Sequence, residues 1–444
     1  MTPETVQSLT AQSLTAQSLH ELEATTIRLV SRRFMPLLLC AYIISYLDRV
    51  NVGFAALTAN ADLGLTPTLY GWGAGLFFVG YFLFEFPSNL VLERVGARLW
   101  IMRIMVTWGL ISAAMALVTG PISFFVARFF LGVAEAGFFP GIILFLTYWF
   151  PRKYRARYIG LFMIGIPVSS LIGAPISGML LGLDGVWGLK GWQWMYVLEA
   201  LPSLVIGGLV YLLLTDRPAG AHWLSDRQRA WLEATLAQEQ AVARPHARMG
   251  YLASMTDRRV LVYSLLFFNV TSASYGLSLW LPQIVKNFGL SNAQTGWVSA
   301  IPFAFGTAAM IAWGRHSDQK NERVMHTAAC AFVMAAGLGA CVLTDSPWWQ
   351  MAAICFAALG IFGVKGPFLA MLSEAFAGPG TAGGIAMATA IGNLSGFLPP
   401  YAVGWIKSET GSFSLGLLFL ATLAALGGLQ ALAMARQPRQ RAMA

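Results

Sequence analysis

Two charged residues of opposite sign stand side by side in an apolar run: Asp48 and Arg49, within Ser45-Tyr46-Leu47-Asp48-Arg49-Val50-Asn51. An ionisable group deep in a membrane-length apolar segment costs about 3 kcal/mol or more, so each needs a partner and marks a functional site. A second pair, Arg128 and Glu135, lies seven residues apart in a later run, on one helical face. Asp48 lies about 18 Å from the edge of the bilayer core near Pro36, leaving about 12 Å to the far edge. Arg128 lies about 10 Å and Glu135 about 21 Å in from the edge near Pro121, so Asp48, Arg49 and Arg128 share a level. Adjacent residues of a helix point about 100° apart, so Asp48 and Arg49 pair poorly with each other. The expected pair is Asp48 with Arg128, with Arg49 free toward a cavity and Glu135 one step deeper.

This chemistry suits coupled transport of an anion. A carboxylate beside an arginine stays ionised; when a substrate carboxylate takes over the arginine, the freed acid picks up a proton. Arg49, with Arg128, is the expected substrate anchor, and Asp48 and Glu135 the proton carriers. The competing reading is a static ion-pair network between helices, which adds little over an apolar core.

The elements that must position these groups are membrane spans. Of 444 residues 57% are hydrophobic and 11% charged, against about 25% charged in ordinary soluble domains, and the mean hydropathy is +0.63. The expected fold is an all-α integral membrane protein of twelve transmembrane helices in two six-helix halves. The first half has spans at roughly 36–58, 69–92, 99–118, 122–146, 158–182 and 192–214. The second has them at roughly 260–284, 294–313, 324–344, 347–371, 382–406 and 412–434. The domain plan is a cytoplasmic tail 1–35, a six-helix half 36–214, a linker 215–259, a second half 260–434 and a basic tail 435–444. The tail holds the repeat Ser8-Leu9-Thr10-Ala11-Gln12, recurring from Ser13, and reads as disordered or as a short interfacial helix rather than a cleaved signal.

Basic residues fall in alternate connections, twenty-two on the side of the two chain ends and three (Lys190, Lys286, Lys407) on the other. By the positive-inside rule both termini are expected in the cytoplasm of an inner-membrane protein. The net charge of +9 thus reports topology and not nucleic-acid binding. Cys40, Cys330, Cys341 and Cys355 lie singly in apolar runs and read as small core hydrophobes.

Around the charged core, Tyr46 and Tyr81 offer hydroxyls to a carboxylate, whereas Tyr42 is as well explained by packing between helices. Glu85 falls near the inner mouth, where a gating role competes with solvent exposure. The seventh span is rich in Asn269, Thr271, Ser272, Ser274, Tyr275 and Ser278, and the eleventh carries Asn393 between Gly392 and Gly396. Asn393 reads as a cavity residue and the single serines as helix-to-helix hydrogen bonds. Lys365, in Gly363-Val364-Lys365-Gly366-Pro367, either snorkels to the interface or supplies a second cation opposite Arg49, which would suit a dicarboxylate. Gly132, Gly137 and Gly141 would let a neighbouring helix approach the fourth span.

The halves echo each other in their short loops: Glu93 and Arg94 after the second span, Gly314 and Asp318 after the eighth. Duplicated halves with a site between them are common in transporters. These loops resemble the Gly-x-x-x-Asp-Arg-x-Gly-Arg signature of the major facilitator superfamily; the second half keeps Gly314 and Asp318, while the first has Asn89 for glycine and Glu93 for aspartate. Within it, Tyr46 to Asn51, Arg128 with Glu135-Ala136-Gly137-Phe138-Phe139-Pro140, Tyr148-Trp149-Phe150-Pro151 and Gly191-Trp192-Gln193-Trp194 resemble the anion:cation symporter family, in its branch of bacterial tartrate, phthalate, nicotinate and hydroxyphenylacetate transporters. The match runs from about residue 33 to 435. The resemblance implies proton-coupled uptake of an organic carboxylate by alternating access, with the same charged positions at work and Glu93, Arg94, Gly314 and Asp318 in gating loops.

A membrane enzyme is the rival class, and the residue pattern does not fit it. His20, His222, His246, His316 and His326 all fall in or beside cytoplasmic segments and read as solvated, with no H-E-x-x-H, Walker loop or nucleophile motif. No cofactor or metal is expected; the proton gradient is the driving force, and the partners are a small organic anion, protons and the lipid bilayer, with the chain a monomer. An anion exchanger or drug/proton antiporter on the same fold is the alternative. The linker's Trp223-Leu224 and Trp231-Leu232 suggest an amphipathic helix on the inner membrane face.

Overall fold

The computed structural model describes residues 3–242, 256–376 and 381–435, and these are helices joined by short connections, with no strand among them. His246, part of the linker and the basic tail beyond Ala435 lie outside the described residues. Among the described residues, nine helices are long and apolar enough to cross a membrane. The other three spans are shorter or interrupted. The first is Pro3–Val50 followed by Val52–Asp62, the ninth is Val324–Ala340, and the eleventh is Thr381–Gly392 followed by Leu398–Thr410. Twelve spans in two halves result, as composition and run length predict.

The first helix differs from expectation, because it begins at Pro3 and runs unbroken past Pro36. Beyond the membrane segment it is tied down by Glu23, which accepts hydrogen bonds from the Tyr154 hydroxyl (2.7 Å) and Lys153 Nζ (3.0 Å). The linker helix Asp226–Val242 also departs from the reading of a helix laid on lipid. It docks on the first half: Trp223 stacks on Trp149 at 5.5 Å and lies 5.5 Å from Phe34, and Glu239 bonds Arg155 at 3.0 Å. Leu232 and Leu236 of this helix are buried, so its apolar face is covered by protein.

Within the first half, the second span (Pro67–Val95) and the fourth (Pro121–Trp149) approach backbone to backbone. A methyl group at Gly132 would collide with the Phe77 carbonyl, and one at Gly80 with the Phe129 carbonyl. Small residues allow this approach where lipid offers no hydrophobic drive for helix pairing. Gly132→Val is therefore expected to lower the recovery of monodisperse protein and to destabilise the fold by about 3 kcal/mol, because backbone and not a flexible side chain must give way. A melting temperature in detergent checks it. Gly137 and Gly141 meet side chains, Ser88 and Leu92, rather than backbone.

Among the described residues, the hydrogen bonds that join the halves lie toward one end of the helices. The Tyr70 hydroxyl donates to Leu279 O (2.9 Å) and Thr68 Oγ1 to Ser408 Oγ (2.8 Å). Close glycine contacts add to this seal: Gly71 against the Pro400 carbonyl, Gly53 against the Leu279 carbonyl, and Gly178 against Gly296. All lie toward the start of the second span. Farther along, Phe78 and Tyr275 make an edge-on ring contact at 4.5 Å that roofs the central site.

Candidate functional site

Arg49 pairs with Glu135, its Nη2 donating to Oε1, and Ser45 Oγ donates to the same oxygen at 2.9 Å. The Glu135 side chain is 1% exposed and the Arg49 side chain 11%, so the cation is the face of the pair that solvent reaches. Three rings hold the guanidinium: Tyr46 at 5.7 Å, Phe77 at 5.3 Å and Tyr81 at 5.2 Å from its centre. Such cation–π contacts suit a planar guanidinium better than an ammonium. Glu135 is the last residue of the helix Pro121–Glu135, and the chain resumes as a helix at Phe138 after Gly137, whose φ is 88°. A helix C-terminus carries partial negative charge, so Glu135 needs its cation all the more.

The expected Asp48–Arg128 pair is corrected by this geometry. Asp48 turns into the first half, where Trp108 Nε1 (3.1 Å) and Ser203 Oγ (2.9 Å) donate to Oδ2 and Ser112 Oγ (2.9 Å) to Oδ1. Arg128 is fully buried; its Nη2 donates to Ala74 O at 3.1 Å, its guanidinium lies 5.1 Å from the Phe77 ring, and Nε and Nη1 have no partner among the described residues. Phe77 thus separates Arg128 from Arg49, contacting both. Residue depth was common to the three groups; the rotation of each helix about its axis decides which of them meet.

Tyr42 stacks on Phe162 at 4.1 Å, as helix-to-helix packing requires. Glu85, one turn beyond Tyr81, is buried, which overturns its solvent-exposed reading, and its Oε2 has no partner among the described residues. The second half supplies the opposite wall. The Tyr275 hydroxyl donates to Asn393 Oδ1 at 3.3 Å, and Thr271 Oγ1 and Ser395 Oγ share a hydrogen bond of 2.7 Å. Asn393 begins a short 3-10 turn, Asn393–Gly396, inside the eleventh span. Lys365 opens the helix Lys365–Ala375 at a bend of the tenth span. Gly363 faces Cys330 and Trp313; two residues on, helical phase turns Lys365 away from that packed side. It is half-buried, with no charged group or hydrogen-bond partner facing it among the described residues. Glu135, Lys365 and Asn393 therefore all sit at interruptions of their spans, where irregular backbone at membrane depth must be buried or line a cavity.

The loops differ between the halves. Glu93 and Arg94 are exposed, and Asp216, unnoticed in the sequence, holds the first-half junction by accepting from Arg98 N at 2.8 Å beneath Gly96. In the second half Arg323 bridges Asp318 (2.7 Å) and Glu374 (3.3 Å), and Gly314 abuts Gly366. His326 is not solvated: it is buried, with Nδ1 2.6 Å from Glu322 Oε2 and Nε2 2.8 Å from His316 Nδ1. Cys330 and Cys341 are buried as small hydrophobes, Cys355 is half-buried and Cys40 is exposed. No group of three or more metal-ligating side chains occurs among the described residues. One buried acid escaped the sequence reading altogether: Glu199 in the sixth span, Gly191–Leu213. Its signal, an acid in an apolar run, was the same as that of Asp48.

A family model described as Major Facilitator Superfamily matches residues 38–400 and, in a second match, 273–442. A protein of Agrobacterium vitis described as "Putative tartrate transporter" is 47% identical over 417 residues, covering 94% of this chain and 93% of that one. A "Quinolone resistance transporter" of Acinetobacter baumannii is 41% identical over 413 residues, 92% of this chain and 94% of its own. Among solved structures, a bacterial homologue of the human lysosomal transporter Spinster, inward-facing and occupied, superposes with a TM-score of 0.74 at 16% identity, over 90% of this chain and 96% of that one.

Proposed function

The chain belongs to the major facilitator superfamily, and from that premise we propose that it takes up an organic acid, a hydroxy-dicarboxylate such as tartrate first among the candidates, by proton-coupled symport. It is a multi-pass membrane transporter of small molecules and not an enzyme. The observation that carries the finer reading is the Arg49–Glu135 pair, a slightly exposed cation whose counterion is a buried acid. A substrate carboxylate that takes Arg49 leaves Glu135 without its cation in an apolar setting, and Glu135 binds a proton. Release of the acid restores the pair and expels the proton. Asp48, held by three donors away from the cavity, is the second carrier, and Arg128 acts behind Phe77 on the shape of the site.

Tyr46, Tyr81 and Asn393 offer polar atoms to substrate hydroxyls, and Lys365 offers a cation to a second carboxylate. Lys365→Met is expected to lower uptake of dicarboxylates about tenfold relative to monocarboxylates, measured side by side. The loops around Glu93, Arg94, Gly314 and Asp318 gate the end of the molecule that carries the chain termini. The twenty-two to three distribution of basic residues supports a cytoplasmic position for that end and for both termini in a bacterial inner membrane. The cycle needs no cofactor beyond the proton gradient.

Uptake into proteoliposomes of a panel of hydroxy-dicarboxylates, aromatic acids and sugar acids, with and without an imposed pH gradient, tests the proposal. Accumulation of a carboxylate only with the gradient is expected. The quinolone-named relative favours one second reading, export of an aromatic carboxylate through the same arginine. Proton-driven efflux of such a compound, with no uptake of any acid, would replace symport by exchange.

A further inference from the structure

The first half contains a second acidic compartment that the Arg49–Glu135 pair does not reach. Glu199 is 4% exposed; Ser177 Oγ donates to its Oε1 at 2.6 Å, and its Oε2 has no partner among the described residues. Asn51 of the first span lies beside it, buried, with its side-chain amide within reach of the Glu199 carboxyl. The titratable groups facing Glu199 are Asp48 of the first span and, on its own helix, Tyr196, through which Arg128 lies beyond. The fifth span contributes only the Ser177 hydroxyl. Neither carboxyl has an ion-pair partner among the described residues; Asp48 accepts three side-chain hydrogen bonds, whereas Ser177 donates to Glu199 on one oxygen, so Glu199 is the poorer place for a bare charge and the better one for a proton.

Ser177 also lines a narrow cavity at the junction of the two halves. Val50 and Phe54 of the first span close one side, and Ser299 and Phe303 of the eighth close the other. The Ser170 and Ser299 hydroxyls on this cavity are buried and have no hydrogen-bond partner among the described residues. Water placed there would find hydroxyl partners next to Glu199. The cavity belongs to the sealed end, where the fifth and eighth spans touch through Gly178 and Gly296. Parting of the halves at that seal exposes it, on the side opposite to the loop-bearing end.

We propose that Glu199 is a third proton-binding carboxyl of the transport cycle, loaded from the sealed end through the serine-lined cavity and sharing its compartment with Asp48. A hydrated proton in the cavity transfers H+ to Oε2 and leaves as water; the reverse step discharges the site. This rests on the proton-coupled reading above and deepens it. It gives the two sides of the membrane different contact points: Glu199 by way of the cavity, Glu135 by way of Arg49.

The test compares the full-length parent, Glu199→Gln, and the double variant Ser170→Ala with Ser299→Ala, in proteoliposomes with L-tartrate as the first probe and then the acid the panel identifies. Glu199→Gln is expected to lower gradient-driven accumulation about tenfold while counterflow, which moves no net proton, falls less than about threefold. The serine variant slows accumulation with the same split. Infrared spectra of the purified proteins should show one protonated-carboxyl band fewer in Glu199→Gln than in the parent, whatever the substrate. An unchanged set of bands, or an unchanged ratio of accumulation to counterflow in a parent that does couple to protons, overturns the inference. A parent indifferent to the pH gradient overturns the coupling reading and this inference with it. Accumulation driven by sodium and lost in Glu199→Gln would also overturn the proton assignment.

Discussion

Arg49→Gln is expected to reduce acid uptake about a hundredfold and to destabilise the protein at the same time. The two losses have different origins. Removing the cation strands Glu135, 1% exposed and at a helix C-terminus, as an unpaired buried charge, a change that costs about 3–5 kcal/mol when a buried pair is broken. Uptake fails because a substrate carboxylate entering the membrane level has nothing to replace its lost hydration. Adding Glu135→Gln to Arg49→Gln removes the stranded charge, so the double variant should recover most of the melting temperature while uptake stays at the floor. Recovery of both would make the pair a scaffold. Arg49→Lys keeps the charge but not the planar contact with Phe77 and Tyr81, and should retain only a few per cent of uptake, about a thirtyfold loss. Proteoliposome flux and thermal unfolding in the same preparations read out both quantities.

Glu135→Gln alone should separate binding from energy coupling. The amide can still accept from Ser45, and Arg49 is left without a competing internal anion. Substrate is therefore expected to bind more tightly, about threefold or more, with a binding constant that no longer varies with pH across the range where the parent's does. Accumulation against a gradient should fall at least about tenfold, because substrate release no longer expels the proton held at position 135. Counterflow should survive. Equal gradient-driven uptake by variant and parent would remove Glu135 from the coupling scheme and leave Asp48 and Glu199 to carry it.

Much of this architecture is legible in the residues alone. Apolar runs of membrane length, the polar stretch between the halves and the asymmetry of basic loops lead to a twelve-helix transporter without any coordinate. The buried charges are legible too, since Asp48, Arg49, Arg128 and Glu135 are conspicuous in their spans. Their pairing is not. Depth follows from counting residues, but azimuth depends on neighbours: Asp48 faces Trp108, Ser112 and Ser203, while Arg49, one residue on, swings past Phe77 to Glu135. Glu199 has no base near it in sequence or in its span, so no charge pairing points to it; a lone acid in an apolar span is the signal of a proton-binding group. His326 falls at the predicted edge of the ninth span, and its burial depends on a neighbour that sequence spacing does not show: the first turn from Val324 packs its ring against Trp313 at 5.1 Å.

The seal between the halves is built from glycine contacts, backbone carbonyls and a few hydroxyls, and among the described residues no ion pair crosses it. At the opposite end, charges are plentiful but work inside each half, Asp216 on Arg98 in one and Arg323 between Asp318 and Glu374 in the other. A closure without charges is not screened by salt and has no group of its own to titrate. Its opening should thus proceed alike in dilute and in saline or acid surroundings. The medium beyond that seal could change in ionic strength without resetting the balance between the two faces of the transporter, and pH would act on the cycle only through the protons it supplies.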